Sequence, residues 1–198
     1  MVRYGVFGAI YNNCYLLIDD KTNQSALIDC SEYNEKMQEL IGDTELKYIL
    51  LTHGHFDHIG GVNSVKKKYA AKVVISKEDE PMLTSGALSL SGINPDIKAD
   101  IIVNDGDVIT LGDTEIEVIS TPGHTRGSVC YKAGKELFTG DTLFCLSCGR
   151  TDFPGGSVPD MITSLKRLAA LDGDYNVYPG HEELTTIDYE RKNNPCIR

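Results

Sequence analysis

Apolar residues recur at every second position in some stretches and at three- and four-residue intervals in others, and the two patterns mix along the whole chain. Period-two runs predict strands over Met1 to Phe7, Asn13 to Ile18 and Ser25 to Ile28, and an apolar run predicts another over Lys47 to Leu51. Met37, Leu40 and Ile41 have helical spacing within Glu32 to Ile41, and Gly42 is a stop. Asp57 to Tyr69 reads as one helix, Lys72 to Ile75 as a short strand, and Lys77 to Leu83 as a helix capped by Ser76. Strands are then expected at Val108 to Leu111, Glu115 to Ile119, Ser128 to Tyr131, Glu136 to Phe138 and Asn176 to Tyr178. Helices are expected at Met161 to Leu171 and Thr185 to Lys192. Thr84 to Ala99, rich in Ser, Gly, Asn and Pro, is the longest loop, of the kind that covers a site or stays mobile. With strand clusters in both halves and helices throughout, two sheets packed face to face with helices outside accommodate the pattern.

Composition narrows the class. A chain of 198 residues, 41% hydrophobic, is expected to form a single domain with a substantial core. A net charge of −10 and a pI near 4.9 argue against a nucleic-acid binder, which needs clustered Lys and Arg. The Lys66-Lys67-Lys68 run reads as a solvated helix face rather than an anion site. No apolar run approaches the ~20 residues of a membrane span. Met1 to Ile10 lacks a signal-peptide pattern, so the six cysteines are expected to be reduced thiols in the cytoplasm. A small-molecule substrate is the expected partner, and the chain is expected to be a monomer or small homo-oligomer.

The chemistry concentrates in Leu51-Thr-His-Gly-His-Phe-Asp-His-Ile-Gly-Gly61, where His53, His55, Asp57 and His58 fall within six residues at the end of an apolar strand. Positions two apart on extended backbone share a face, so His53 and His55 can converge on one ion. Asp57 and His58 begin the following helix, and Gly60 and Gly61 let backbone pass close to the site. The two remaining histidines recur in one context, Thr121-Pro-Gly-His124 and Tyr178-Pro-Gly-His181, each directly after a strand-like run. Leu137-Phe-Thr-Gly-Asp141 repeats the arrangement with a carboxylate. Four strands thus end in turns carrying metal-ligand side chains, and strand ends on one rim are where layered folds build sites.

In order and spacing, His-x-His-x-Asp-His, then His124, Asp141 and His181, resemble the metallo-β-lactamase fold superfamily over nearly the whole chain. The resemblance implies an α/β fold, an αβ/βα four-layer sandwich of two mixed sheets with helices on both outer faces, and a two-metal site on one edge. Thr-Pro-Gly-His-Thr-x-Gly-Ser at 121–128, Gly-Asp-Thr-Leu-Phe at 140–144 and Gly-Arg-Thr-Asp-Phe-Pro-Gly-Gly at 149–156 are similar to the hydroxyacylglutathione hydrolase (glyoxalase II)-like group, especially its short bacterial members. By that resemblance His53, His55 and His124 hold one metal, Asp57, His58 and His181 hold a second, and Asp141 bridges them. Such ligands suit zinc, and also iron or manganese. The implied reaction is hydrolysis of a thioester such as S-lactoylglutathione by a metal-bridging hydroxide, with Asp57 orienting it or accepting its proton. Lactamases of the superfamily usually carry cysteine at the position of Asp141, which turns the expectation away from lactams.

Other positions depart from the group's pattern. Full-length glyoxalase II enzymes carry a C-terminal helical glutathione-binding domain, which is not expected here. Arg150 stands where a cationic residue often meets the substrate's carboxylate, or is a surface arginine paired with Asp152. Glu183 stands where glutathione-binding members often have an aromatic, and would repel an anionic carrier. The alternative function is a persulfide dioxygenase with one iron on His53, His124 and Asp141, a two-His, one-carboxylate set. Cys145-Leu-Ser-Cys148 has redox-motif spacing but no second pair, and reads first as structural. Cys14 and Cys30 read as small buried hydrophobes.

Overall fold

A computed structural model describes residues 1–197. In the first half, β1 (Val2–Phe7), β2 (Asn12–Ile18), β3 (Gln24–Ile28), β4 (Glu45–Leu50), β5 (Lys72–Ser76) and β6 (Ile101–Val103) form one sheet in sequence order. β1 to β3 are antiparallel neighbours, whereas β3 to β6 are parallel. The second half contributes β7 (Val108–Leu111), β8 (Thr114–Ser120), β9 (Val129–Ala133), β10 (Glu136–Gly140), β11 (Leu143–Phe144), β12 (Ser147–Cys148), β13 (Asn176–Pro179) and β14 (Thr185–Thr186). β11 and β12 pair with each other; the others make a second sheet in the order β14-β13-β10-β9-β8-β7. The helices are α1 (Glu35–Ile41), α2 (Phe56–Ile59), α3 (Val62–Tyr69), α4 (Val158–Ala169) and α5 (Ile187–Asn193).

Alternation along the strands builds the layers. On β2, Tyr15 and Leu17 face the second sheet, where they join Ile116, Val118, Tyr131 and Phe138. Their neighbours Cys14, Leu16 and Ile18 face outward, toward Met37 and Ile41 of α1 and Val62 and Val65 of α3. On the far side, Ile119, Cys130, Leu137 and Val177 meet Met161, Leu165 and Leu168 of α4 and Ile187 of α5. Three apolar seams thus separate four layers, the αβ/βα sandwich that the sequence implied. A two-turn helix such as α1 is marginal alone. Burial of Met37, Leu40 and Ile41, at roughly 1.5–3 kcal/mol each, and a cap in which Asn34 accepts from the Met37 amide hold it in place.

Strand direction sets where the site lies. β8 and β10 are both antiparallel to β9 and therefore run the same way, and β13 is parallel to β10. The C-terminal ends of β8, β10 and β13 consequently share one rim. The two sheets are laced together there: Val129 N–H donates to the Thr52 carbonyl, Asn13 N–H to the Gly180 carbonyl, and the Tyr15 hydroxyl to the Pro179 carbonyl.

Four expectations are corrected. Asp57 to Tyr69 is two helices, α2 and α3, broken at Gly60-Gly61, where a Cβ would meet the Ser31 carbonyl oxygen at 2.4 Å or the Glu32 carbonyl carbon at 2.6 Å. Those glycines admit the loop after β3, not the site itself. Lys77 to Leu83 is not a helix capped by Ser76: Ser76 ends β5 and donates to the Gly127 carbonyl, and one short 3-10 turn covers Glu80–Thr84. Thr185 to Lys192 begins with the two-residue strand β14 before α5. Finally, β6, β11 and β12 were not foreseen, because two or three residues carry too little periodicity.

Candidate metal centre

Loops from both sheets converge at the rim. β4 leads through Thr52 into His53, His55, Asp57 and His58; β8 delivers His124, β10 delivers Asp141 and β13 delivers His181. The seven side chains expected to act together are together. Ligand-type atoms of His53, His55 and His124 lie within 4.8 Å of one another, as do those of Asp57, His58 and His181. Asp141 joins His53 and His58 in a third such group. Its Oδ2 stands 3.5 Å from His124 Nε2 and 3.7 Å from His181 Nε2, and its Oδ1 is 3.4 Å from His58 Nε2. Asp141 therefore sits between the two triads.

The chemistry of this donor set fits cations. His55 Nδ1 and His124 Nε2 approach to 2.8 Å, which brings these two imidazoles together at the rim. Among the described residues, the buried side-chain polar atoms without a hydrogen bond are His53 Nε2, His55 Nε2 and Asp141 Oδ1, all in this cluster. Buried polar atoms are ordinarily satisfied, and a bound cation is the partner that lone pairs of this kind take. Gly180 is part of the close packing, since a Cβ there would lie 2.3 Å from Asp141 Oδ1 and 2.9 Å from His58 Cε1.

Burial and charge act in opposite directions on the two groups of donors. Burial holds the His53 imidazole well below the usual histidine range, and neighbouring histidines add to it; His55 is held down to about 3 for the same reasons. Both are neutral, as metal ligands must be. Burial alone would lower His58, but Asp29, Asp141 and Asp57 outweigh it and raise it well above the usual range. His181 is likewise raised against its burial, by hydrogen bonding to Asp57 and by Asp141. Burial would raise Asp57, yet His58 and His181 hold its carboxyl far below the usual range, so it is ionised.

Further residues position the ligands, and the sequence reading missed them. Asp29 accepts from His58 Nδ1 at 2.8 Å and from the Thr52 amide and hydroxyl, each at 2.8 Å. It follows β3 directly, the same strand-then-carboxylate pattern that marked Asp141, and that pattern could have found it. Asp79 accepts from the amides of Gly54 and Gly127 and from the Thr125 hydroxyl, so it bolts the loop between His53 and His55 to the residues after His124. His124 Nδ1 donates to the Arg150 carbonyl, which leaves Nε2 free to face the site.

A cavity of about 540 Å³ opens over the cluster, lined by His55, Asp57, His124, Asp141 and His181 together with Phe56, Leu90, Phe144 and Phe153. Leu90 comes from the long loop, which also clasps α2 through the Phe56 amide and the Ser89 carbonyl. Arg150 lines the cavity too, with its guanidinium paired to both oxygens of Asp152 at 2.7 Å and stacked 4.0 Å from the Phe153 ring centroid. The surface pairing foreseen for it is present, and so is a place at the cavity wall.

The profile of the metallo-beta-lactamase superfamily matches residues 7–181, all but the ends of the chain. The chain belongs to the metallo-β-lactamase superfamily. Within it, the chain is 33% identical to the hydroxyacylglutathione hydrolase GloC of Haemophilus influenzae over 96% of its own length and 94% of the relative's. Among solved structures it is similar to the BLEG-1 B3 metallo-beta-lactamase, with a TM-score of 0.93 and 32% identity over 100% of this chain and 99% of that one. It is also similar to ETHE1 from Myxococcus xanthus, with a TM-score of 0.81 and 30% identity over 98% of this chain and 83% of that one. A third is TTHA1623 in a di-iron-bound form, with a TM-score of 0.85 and 31% identity over 98% of both chains. Superfamily membership and the His/Asp clusters together support divalent metal ions in the site, and the relatives support hydrolase activity. No helix of the described residues is long and apolar enough to cross a membrane.

Proposed function

We propose that this metallo-β-lactamase superfamily chain is a metal-dependent hydrolase of small acyl-thioesters, S-lactoylglutathione or a related compound. The observation that carries the reading is Asp141, placed between two His-rich triads with one carboxylate oxygen toward His124 and His181 and the other lacking a hydrogen bond. His53, His55 and His124 would hold one cation, Asp57, His58 and His181 a second, and Asp141 both. Zinc suits this imidazole and carboxylate set; iron, present in the similar TTHA1623 structure, suits it too. Bound there, two such ions supply Lewis acidity and lower the pKa of water toward ~7.

The protein's own groups do the rest. Asp57, ionised and facing the cavity, orients the attacking water through its carboxylate. The Arg150 guanidinium, half-exposed at the wall, can exchange Asp152 for a substrate carboxylate. Phe56, Phe144, Phe153 and Leu90 hold the apolar part of the substrate and exclude water from the reacting carbonyl. A thioester requires little more, because a thiol of pKa ~8.5 leaves as thiolate without a strong general acid. All six cysteines are free, which fits action in the reducing cytoplasm on a small-molecule substrate. The site draws on this chain alone, so a monomer or a small homo-oligomer would carry it equally.

One second reading has an observation behind it. His124 Nε2 lies 3.5 Å from Asp141 Oδ2, and His53 shares a cluster with Asp141, so His53, His124 and Asp141 could hold a single iron for persulfide oxidation. A panel run on freshly purified, metal-analysed protein separates the cases: S-lactoylglutathione hydrolysis, β-lactam hydrolysis, and oxygen uptake with glutathione persulfide. Thioester cleavage dependent on two ions per chain is expected. Oxygen uptake with every thioester left intact would overturn the hydrolase reading, and turnover of the lactam alone would change its substrate class.

A further inference from the structure

Cys145 and Cys148 have the spacing of a redox pair, but the hairpin sends them to different partners. Cys148 closes β12, opposite Leu143 of β11, while Cys145 lies in the turn beside Thr185 and Glu190. The thiol that neighbours Cys148 is that of Cys196, and both pack on the apolar seam under α4 and α5. Asn194, fully buried, fixes this meeting. Its side-chain amide donates to the carbonyls of Ser147 at 2.9 Å and Phe144 at 3.3 Å, and its side-chain oxygen accepts from the Cys196 amide at 2.8 Å. One asparagine therefore grips the segment carrying Cys196 and the hairpin carrying Cys148.

We propose that Cys148 and Cys196 are a thiol-oxidation site, closing to a disulfide under peroxide-class oxidants at the wall of the substrate cavity. Cys148 lines that cavity, two residues before Arg150, whose carbonyl receives the His124 Nδ1 proton. Both thiols are partly buried, and burial and the neighbouring Cys196 push the Cys148 thiol up to about 12, which assigns Cys196 as the sulfur that meets the oxidant first and Cys148 as the resolving partner. The Cys196 sulfur attacks one peroxide oxygen, the O–O bond breaks, and a sulfenic acid and one water result. The Cys148 sulfur then displaces the sulfenic hydroxyl, which leaves as a second water carrying the Cys148 proton. Two thiols and one hydrogen peroxide give one disulfide and two waters, and a dithiol reductant reverses the change. The oxidised bond would draw Cys148 from the cavity wall and tie the hairpin to the segment after α5.

The test uses the full chain and hydrogen peroxide, titrated from one equivalent, followed by thiol counting in denaturant and non-reducing peptide mapping. Free thiols should fall from six to four per chain, with one linked peptide joining Cys148 to Cys196 that disappears on reduction. Cys145→Ser should leave this behaviour unchanged, with two thiols still lost. Cys148→Ser and Cys196→Ser should each remove the linked peptide, and Cys196→Ser should also protect Cys148 from oxidation. A Cys145–Cys148 link, or over-oxidation of Cys196 with no link in the unsubstituted chain, would overturn the assignment. Both readouts report on the thiols alone, so the outcome is independent of which substrate the site takes.

Discussion

His58 Nδ1 lies 2.8 Å from Asp29 Oδ2, and both side chains are sealed from solvent. The contact fixes the imidazole plane and turns Nε2 toward Asp57 and Asp141, at 3.3 and 3.4 Å. The same carboxylate anchors the start of the His53–His58 loop through Thr52, so one residue both aims a ligand and holds its loop. Replacing Asp29 with Ala should lower metal affinity or activity by roughly 10- to 100-fold, the usual consequence of losing such a partner. Metal retention after dialysis against a weak chelator, read beside kcat, checks it.

Gly180 tests how closely the site is packed. A methyl group there would collide with Asp141 Oδ1 and crowd His58. Gly180→Ala should reduce kcat/KM on order of 10²-fold, the scale of a 1 Å misplacement at reacting groups. Far-UV circular dichroism should be unchanged, because the glycine ends a strand at the rim and does not lie in the core. An active variant would show that Asp141 and His58 need not hold their present positions.

Much of this arrangement was legible in the sequence, for a physical reason. His53, His124, Asp141 and His181 each follow an apolar strand, and parallel strand direction brings such ends to one rim. The helix expected from Asp57 to Tyr69 was misread because its apolar spacing continues through Gly60-Gly61, where the backbone around Ser31 and Glu32 comes too close for a side chain. Ser76 resembled a helix cap, yet its hydroxyl is used by Gly127, a partner fifty-one residues away that no local pattern reveals. Cys148 likewise takes its partner from beyond α5 and not from Cys145. Asp79 escaped notice because its partners are backbone amides of two distant loops.

Asp79 should matter more for stability than its distance from the ligands suggests. Its carboxyl is buried and raised above the usual carboxylate range by that burial, against three hydrogen bonds that hold it down. Asp79→Ala would leave the Gly54 and Gly127 amides unpaired, while the Thr125 hydroxyl would keep Ser128 as its partner. At about 1–3 kcal/mol for each buried group left unsatisfied, the loss should be several kcal/mol. Urea unfolding of the metal-free protein measures it, and a change below about 1 kcal/mol would mean that the two loops are held by other contacts.

The turn between β2 and β3 carries an acid-sensitive contribution. Hydrogen bonds from the hydroxyls of Thr22 and Thr114 hold the Asp19 carboxyl down to about 2, below its ordinary 3.8. A folded-state value below the unfolded one means that ionised Asp19 stabilises the fold. That contribution is complete above about pH 4 and is lost as pH falls through about 2. Asp19→Asn should flatten stability against pH across this window relative to the unsubstituted chain, with both proteins metal-free. Parallel curves would show that the turn does not favour the carboxylate.

The central claim is that seven side chains from four strand ends act as one two-cation site. The direct measurement is calorimetric titration of metal-free protein with zinc, run beside the Asp141→Ala variant. Two equivalents per chain should bind to the unsubstituted protein, while the variant should lose tight binding of at least one and with it the hydrolysis of S-lactoylglutathione. Failure of the unsubstituted protein to take up zinc or iron, or two-equivalent binding with full activity in Asp141→Ala, would contradict it.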